Sequence, residues 1–541
     1  MGSDKLTNLA TQFSFIATDT TLSKKEGALK GLIDDIDSHI KDFIQTHKYF
    51  DVLGQLYIEF LRYANSDKGL GIVLTPPHIT EFFAEIAKVN QNSIAYDNCT
   101  GTGGFLISAM KLMIEDAKGN SAIVKRIKKE QLIGTEYQSH IYALAVSNMY
   151  IHQDGKTSIH KGSCFDSDII LDVKAKKPTV GFLNPPYKSD KKNDIDELEF
   201  VLNNLDCLVD GGTCVAIVPM QSALSQSGKT YELKKELLSK HTLEGVFSMP
   251  GELFFNSKVN VVTCIMVFTA HKSHPKNKKT FFGYFKDDGF DKRKNLGRLD
   301  VHGYWKDRIK AQWLTAYLNR ETIKGLSIVK AVTADDEWCA EAYMETDYSE
   351  LTLEDFEDTV REYAASAIVN RTAAIPKVQS LLKTFPLDRN INAINPDEKL
   401  VLLKDLFTVH YGANMELYKF DECKTTHERA VPFVSRSERN NGIAAHVEKR
   451  IGYELNPAHT LSVAGGGSVL ATFYQDKPYY SGRDLYYLIP KRVMSVVEML
   501  YYSMIIKANR YRYSYGRQAN KTFKNILIPE KMTNAINNVA P

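Results

Sequence analysis

Short apolar runs alternate with helix-like segments between about residues 90 and 270. The runs read SIAYDNC, QLIGTEY, VGFLNPP, GTCVAIVP, TLEGVFSMP and VVTCIMVFT, and a helix-like segment separates each from the next. Parallel strands joined by helices produce this alternation. The pattern therefore predicts an α/β domain built on a doubly wound, mainly parallel sheet, with room for an antiparallel edge strand.

The segments on either side of this region have different patterns. Residues 1–70 show helical periodicity, as in KYFDVLGQLYIEFLRYA,. A second helical stretch begins at LTLEDFEDTVREYAASAIV, and the strand-like runs after residue 400 are broken by glycine,. At roughly 150 residues per domain, we expect a helical domain at 1–70, an α/β domain at 71–340, a helical spacer at 341–395 and a mainly β domain at 396–541.

Composition argues against a membrane protein, a zinc protein and a disulfide-rich protein. The chain has 43% hydrophobic and 25% charged residues and no apolar run long enough to span a bilayer,. Its seven cysteines show no CxxC or Cys/His spacing typical of zinc sites or disulfide frameworks,. We therefore expect a cytoplasmic protein without a bound metal.

Positive charge is concentrated near the end of the chain, although the net charge is only +3. Residues 501–531 contain seven Lys or Arg and one Glu, interleaved with tyrosines. Such side chains can neutralise phosphates and lie against bases, but a basic run is more often a solvated face. A second basic stretch, residues 271–298, has the same two explanations.

Two acidic residues follow predicted strands at positions suited to ligand binding. Asp97 begins the glycine loop DNCTGTGGFL, where glycines allow close approach of a ligand and the next helix offers free N–H groups,. Leu106 replaces the third glycine of the dinucleotide fingerprint, and no GxxxxGK[ST] motif is present,. Glu136 ends a strand where a carboxylate can accept hydrogen bonds from a ribose diol. A solvated strand-end carboxylate is the alternative explanation for Glu136.

The corner Asn184-Pro185-Pro186-Tyr187 also follows a strand-like run. Proline fixes φ and has no N–H, so the Asn184 side chain and the Pro185 carbonyl can form two preset acceptors. Two acceptors suit an amino group, and Tyr187 could stack on the ring that carries it. A rigid turn that caps a strand is the alternative explanation.

The combination resembles S-adenosylmethionine-dependent amino-methyltransferases, and among them the modification subunits of type I restriction-modification systems. Seven blocks occur in that family's order between about 48 and 310, including LTPPHITEFFAEI, DNCTGTGGFL, FLNPPY and LEGVFSMPGELFFNSKVNVVTCIMVF. The resemblance implies a Rossmann-like methyltransferase fold, S-adenosylmethionine as cofactor and methyl transfer to adenine N6 in double-stranded DNA. It also implies that the target base is flipped out of the helix.

The same resemblance assigns roles to residues. Those implied to hold the cofactor are Thr75, Pro76, Asp97, Cys99, Gly101, Thr102, Gly103, Gly104, Phe105, Glu136, Ser163 and Cys164. Those implied to hold the target base are Asn184, Pro185, Pro186, Tyr187 and Phe255, with Phe254 as the alternative to Phe255. Ser163 occupies the position of the family's usual acidic or amide residue, so Ser163, Cys164 or Asp166 is expected to replace it.

Residues from about 400 to 530 resemble one target-recognition domain of type I specificity subunits. Its implied DNA contacts are Arg436, Arg439, Arg510, Tyr511, Arg512, Tyr513, Arg517 and Lys521. The implied partners are double-stranded DNA, a second copy of the chain and, for any restriction activity, a separate nuclease or translocase subunit. The ELK triplet at 232–234 is expected on a helix of the methyltransferase rather than in a nuclease site.

Two other functions stay open at this point. The chain could be a sequence-specific DNA-binding subunit that has lost turnover, with Ser163 as the departure that suggests it. NPPY-bearing methyltransferases also modify cytosine N4, RNA or protein glutamine. The recognition-like domain disfavours RNA and protein, and Asn184 favours adenine over cytosine.

Overall fold

The computed structural model describes residues 27–39, 51, 53–54, 73–152, 158–188, 194–257, 259, 261–294, 297–372, 376, 378–379, 381, 399–513, 519, 522–533 and 536. The chain divides into two compact units, Met1–Tyr343 (unit 1) and Met344–Pro541 (unit 2). Most of the predicted helical domain at 1–70, and most of 373–398 in the predicted spacer, lie outside the described residues. The helix Ala28–His39 is the main described element before residue 73.

The described part of unit 1 contains one large mixed sheet and one small hairpin. Its strands are β1 (Ala95–Asp97), β2 (Leu132–Glu136), β3 (Ser158–Lys161), β4 (Val180–Leu183), β5 (Thr213–Pro219), β6 (Thr242–Ser248), β7 (Thr263–Thr269), β8 (Lys279–Tyr284), β9 (Asp291–Arg293), β10 (Gly297–Leu299) and β11 (Ser327–Ala331). The large sheet has the order β11-β8-β6-β7-β5-β4-β1-β2-β3.

The strand directions confirm the predicted doubly wound fold, but they differ from the prediction in that one interior strand is antiparallel. β1 pairs in parallel with both β2 and β4, so the chain order reverses between β1 and β4. Ligands bind at such a switch point in open α/β sheets. An antiparallel edge strand is present as β11, but β7 is also antiparallel and lies inside the sheet, between β5 and β6. All four residues of β4 are buried, as expected for a strand covered on both faces,.

Helices cover the sheet of unit 1. They span Pro77–Ile86, Gly104–Asp116, Ser121–Glu130, Ser139–Ile151, Ser167–Ala175, Glu197–Cys207, Met220–Leu224, Gly228–Lys240 and Lys310–Leu318, and a π-helical turn covers Trp305–Ile309. The first begins at a proline, which is suited to that position because the N–H it lacks has no partner within the helix,. It buries Ile79, Phe82, Phe83 and Ile86, a spacing that places one apolar face on the core,. The ELK triplet lies in Gly228–Lys240, which confirms its predicted helical setting.

Unit 2 combines two larger helices with small sheets. Its strands are β12 (Leu400–Leu402), β13 (Phe407–Tyr411), β14 (Ala430–Val434), β15 (Ile443–Glu448), β16 (Thr460–Ala464), β17 (Thr472–Gln475), β18 (Tyr480–Ser481), β19 (Leu485–Pro490) and β20 (Leu527–Pro529). They form the sheets β13-β19-β16-β17, β15-β14-β18 and β12-β20. Among the described residues of this unit, α-helices span Leu353–Val369, Leu403–Leu406 and Val496–Lys507.

The helix Leu353–Val369, from the predicted spacer, belongs to the core of unit 2. Phe356, Val360 and Tyr363 of this helix pack in one cluster with Leu461, Tyr502 and other side chains of the β-rich part. Thr352 caps its N-terminus in a capping box with Asp355,. None of the described helices in the chain is long and apolar enough to cross a membrane.

Candidate active site

A cavity of about 500 Å³ opens at the carboxyl ends of β1, β2 and β4. Its walls come from positions 73–74, from 98, 99 and 101 after β1, from 135–138 at the end of β2, from 162–165 after β3 and from 184–186 after β4. Parallel strands direct their carboxyl ends to one edge of the sheet, so segments far apart in sequence meet here. The volume is within the range of small-molecule sites.

The glycine loop is tied to the end of β2. Gly101 has φ +55° and Gly103 has φ +92°, in the left-handed region that favours glycine,. The Gly101 N–H donates to Glu136 Oε2 at 3.0 Å, and the Gln138 N–H donates to Glu136 Oε1 at 2.8 Å. Burial raises the pKa of Glu136, although these backbone hydrogen bonds oppose the shift. A carboxylate with two fixed oxygens therefore forms part of the cavity wall.

Asp97, at the end of β1, is fully buried. Its Oδ1 accepts the Cys99 N–H at 3.0 Å, whereas Oδ2 has no hydrogen-bond partner among the described residues. Burial raises the pKa of Asp97 to about 8. Asp97 lies directly before Asn98 and Cys99, which line the cavity, and it holds an acceptor that the rest of the described structure does not use.

Asn184 has a fixed side-chain amide at the end of β4. Its Nδ2 donates to the Val73 carbonyl at 2.9 Å and to Thr75 Oγ1 at 3.0 Å. Its Oδ1 is buried and has no hydrogen-bond partner among the described residues. Asn184, Pro185 and Pro186 all line the cavity, and the two prolines contribute no N–H donors,.

Aromatic side chains flank this corner. The Tyr187 ring meets the buried Phe254 edge-on, with ring centroids 6.1 Å apart. Phe255 is 44% exposed, and Lys292 Nζ lies 4.5 Å from its ring centroid. Of the two candidate phenylalanines, Phe255 is the one with a ring face outside the core.

The segment after β3 contributes Ser163 and Cys164 to the cavity, but not Asp166. The Asp166 carboxylate accepts the Ser163 N–H at 2.9 Å, so it closes a turn in its own segment. Of the three candidate replacements, Ser163 and Cys164 line the cavity and Asp166 does not, and the choice among them stays a prediction. Sequence reasoning missed Tyr137, Phe165 and Phe200, which give the cavity an aromatic wall.

Several residues of the predicted cofactor set lie behind the cavity. The Phe105 ring is buried and stacks on Phe182, with ring centroids 5.7 Å apart, so its side chain packs in the core, and its expected place in the cofactor loop stays a prediction. Gly104 begins the helix Gly104–Asp116 with Gly103 as its cap, and Thr75 and Pro76 come just after the lining pair 73–74. Thr102 is buried and donates to Asp51 Oδ2 at 2.8 Å.

Asp51, which is half-buried, and the buried Asn148 support the glycine loop, and sequence reasoning also missed both. Asn148 Nδ2 donates to Asp51 Oδ1 at 2.6 Å and to the Thr102 carbonyl at 2.9 Å. Burial raises the pKa of Asp51 in spite of its three hydrogen-bond donors. Asp51 lies in a stretch with helical periodicity, so no sequence signal set it apart.

The predicted DNA contacts of unit 2 fall into three groups. Arg517 and Lys521 lie outside the described residues. Arg436, Arg439 and Arg510 are exposed, and the first and last of these pair with Asp484 and Glu438. No ion pair of the Arg439 guanidinium is found within the described part of the chain.

The third group packs inside unit 2. Arg512 is 9% exposed and donates to the Met344 carbonyl and, at 3.2 Å, to Asn509 Oδ1. Tyr513 belongs to the main hydrophobic core, and the Tyr511 hydroxyl lies 3.0 Å from Thr346 Oγ1. Both Arg512 and Tyr513 are buried, so their side chains pack within unit 2, and their expected role as DNA contacts stays an untested prediction that this packing disfavours.

Comparison with known proteins agrees with the resemblance. Residues 48–369 match the family model N-6 DNA Methylase, and residues 397–529 match the model of the type I restriction modification DNA specificity domain. The chain is 34% identical to the type II restriction enzyme and methyltransferase RM.BcgI of Heyndrickxia coagulans over 66% of this chain and 57% of that protein. It is 24% identical to the type I restriction enzyme EcoKI methylase subunit of Escherichia coli over 50% of this chain and 53% of that protein.

Solved structures give more distant matches. The type I restriction-modification methyltransferase subunit from Streptococcus thermophilus is 20% identical, with a TM-score of 0.42 over 55% of this chain and 64% of that one. The type IIG restriction endonuclease BpuSI is 12% identical, with a TM-score of 0.44 over 89% of this chain and 62% of that one. The chain spans little more than half the length of the curated relatives named above. Since the N-6 DNA Methylase model covers well over half of the 541 residues, the chain belongs to that family.

Proposed function

We propose that the chain transfers a methyl group from S-adenosylmethionine to the N6 amino group of adenine in double-stranded DNA. The observation that carries this proposal is the Asn184 corner. A buried amide oxygen without a described partner lies at the end of β4, in a cavity that also has the Glu136 carboxylate in its wall. Family membership supplies the reaction class, and the corner supplies a reason to expect an amine as the methyl acceptor.

The residues of the cavity fit the cofactor. Glu136 can accept hydrogen bonds from ribose hydroxyls, and the free Oδ2 of Asp97 can accept from the ammonium group of the methionine part,. The aromatic wall formed by Tyr137, Phe165 and Phe200 suits a purine,. When bound, S-adenosylmethionine supplies an activated methyl group.

The protein's own contribution is to hold and polarise the target amine. Adenine N6 is a weak nucleophile because its lone pair is delocalised into the ring. Hydrogen bonds from its two protons to Asn184 Oδ1 and the Pro185 carbonyl favour a more pyramidal, more nucleophilic nitrogen. The rings of Tyr187 and Phe255 would hold the base that has left the helix, which repays part of the unstacking free energy.

No strong base is required to complete the reaction. The nitrogen gains the methyl group and becomes acidic, so it can lose one proton to solvent. Catalysis then rests mainly on alignment of the amine and on the two acceptors.

Double-stranded DNA is the proposed macromolecular substrate, read by the region 397–529. Arg436, Arg439 and Arg510 remain as the proposed contacts, since their guanidinium groups are exposed. A second copy of the chain and a separate nuclease subunit are further proposed partners. Mass measurement of the DNA complex would test the dimer, because a complex of one chain with one duplex contradicts it.

Modification-sensitive sequencing tests the activity directly. A bacterial strain without DNA methylation would express the native chain or Asn184→Ala. We expect N6-methyladenine at one defined sequence with the native chain and none with the variant. Cytosine N4 methylation in the same data, or no modification despite S-adenosylmethionine binding by calorimetry, would contradict the proposal.

A further inference from the structure

The amide of Asn184 is held in one orientation by a segment more than a hundred residues away. Its nitrogen lies 2.9 Å from the Val73 carbonyl and 3.0 Å from Thr75 Oγ1. A carbonyl oxygen can only accept, so the amide nitrogen must face Val73. In the flipped orientation, Asn184 Oδ1 would oppose the carbonyl. Two hydrogen bonds to the same NH₂ group also fix the plane of the amide.

Proline restricts the backbone of the segment that holds Asn184, and a packed helix follows it,. Thr75 precedes Pro76, which restricts Thr75 to extended conformations,. Pro76 has φ −57° and ψ 141°, and the helix Pro77–Ile86 that follows has its apolar face in the core. The backbone of Thr75 is therefore restricted, and its hydroxyl accepts a hydrogen bond from Asn184 Nδ2.

The Asn184 side chain and the two prolines then present acceptors and no donors to a target base. Both N–H groups of the Asn184 amide are used within the protein, and Pro185 and Pro186 have no N–H,. An exocyclic amine brings two donors and satisfies such a corner. A carbonyl at the same ring position brings lone pairs against lone pairs and is rejected.

We propose that Thr75 is a positioning residue for methyl transfer, which acts by holding the Asn184 amide with its oxygen toward the target. Together with the Val73 carbonyl, it sets the preference of the site for an amine over a carbonyl on the flipped base. This inference rests on the proposed function. It assigns Thr75 a role toward Asn184, in place of the cofactor contact expected from sequence.

The test compares three variants of the full chain with the native protein. Thr75→Val keeps the shape and removes the hydroxyl, and Thr75→Ser keeps the hydroxyl. Thr80→Val is the matched control, because Thr80 is a buried threonine of the following helix whose hydroxyl contacts Pro77 and Ser108 and not Asn184. Each is assayed for kcat, for KM of S-adenosylmethionine, and for binding of duplexes with adenine or hypoxanthine at the target position.

Loss of one hydrogen bond to the amide predicts a kcat for Thr75→Val that is lower by about five- to tenfold. KM for S-adenosylmethionine should stay within about twofold of the native value, since Glu136 and Asp97 are untouched. The preference for adenine over hypoxanthine should fall by about fivefold, because an amide with one remaining bond turns more easily. Thr75→Ser should restore both values, and Thr80→Val should leave both unchanged.

The outcomes separate this inference from the proposed function. A raised KM for S-adenosylmethionine with native kcat and native base preference would make Thr75 a cofactor contact and overturn the inference alone. Native values in every assay would also overturn it. Should Thr75→Val not fold, Thr75→Ala takes its place with the same expectations. A native chain that methylates no adenine would overturn the proposed function, and the inference with it.

Discussion

Replacement of Asp97 by asparagine should stabilise unit 1 at pH 8 and, at the same time, weaken cofactor binding. Asp97 is fully buried, and burial raises its pKa to about 8 from the ordinary 3.8. Each pKa unit corresponds to about 1.36 kcal/mol. A difference of about four units sets an upper limit of roughly 6 kcal/mol for the cost of ionised Asp97 in the folded state. Buried charges behave as if the effective dielectric constant were about 20, which lowers this cost, and we expect about 2 kcal/mol.

The sign follows from the protons bound in each state. Below about pH 4, Asp97 is protonated in the folded and the unfolded chain, and it does not affect the pH dependence of stability. Between about pH 4 and pH 8 the unfolded chain ionises first, so the native protein loses stability as the pH rises,. Above pH 8 the loss is complete. Asparagine does not titrate, so Asp97→Asn removes this loss.

Scanning calorimetry at pH 5, 6.5 and 8 measures the effect. For a unit of more than three hundred residues, about 2 kcal/mol corresponds to an increase in Tm of roughly 3 °C at pH 8. The increase should shrink towards pH 5. An exposed acid, Asp210→Asn, is the control and should show no such trend. A variant that melts below the native protein at pH 8, or a difference in Tm that does not change with pH, would refute the reasoning.

Calorimetric titration of the same variant, Asp97→Asn, should show S-adenosylmethionine binding weaker by at least about tenfold.

Four further substitutions test cofactor binding, stability and DNA binding. Glu136→Gln should raise the Kd for S-adenosylmethionine by about tenfold by calorimetry, since an amide offers one acceptor where the carboxylate offers two; an unchanged Kd contradicts a ribose contact. Lys234→Met should lower the Tm of unit 1 by a few degrees without changing that Kd, because the 0% exposed ammonium donates to three backbone carbonyls,. Arg439→Gln should reduce the slope of log affinity against log salt for DNA by about 1. Arg512→Gln should lower thermal stability and leave that slope unchanged, so a change of slope with Arg512→Gln would contradict its internal position.

The features that could be predicted from the sequence are those that depend on residues close together along the chain. Alternating runs identified β1, β2 and β4 to β7, and the residues at their carboxyl ends included Asp97, Glu136 and Asn184. β3 and β8 were missed because SIHK and KTFFGY are short and lie beside polar or basic stretches. The interior antiparallel position of β7 was missed because periodicity indicates a strand without indicating its neighbours.

Features that depend on tertiary contacts were not predictable from local patterns. Arg512 and Tyr513 lie in a basic, aromatic run that looks like a nucleic-acid surface, yet a short helical turn directs both inward. Phe105 follows the glycine loop as a ligand contact would, but it lies in the first turn of the helix Gly104–Asp116, and its ring is buried in the core. The contacts of Asn184 with Val73 and Thr75 join positions more than a hundred residues apart, and no spacing rule indicates them.

Unpaired buried polar atoms explain why this edge of the sheet is suited to a ligand. Each such atom destabilises the folded state by about 1–3 kcal/mol, and Asp97 Oδ2, Asn184 Oδ1 and the Tyr187 hydroxyl all lack partners among the described residues. Thr263 and Tyr363 also hold unpaired buried oxygens, so this property alone does not identify a site. The first three differ because they line the cavity or adjoin residues that do, on either side of the β1–β4 switch point. A ligand with donor groups can pair with them there, and the free energy lost on folding is then recovered on binding.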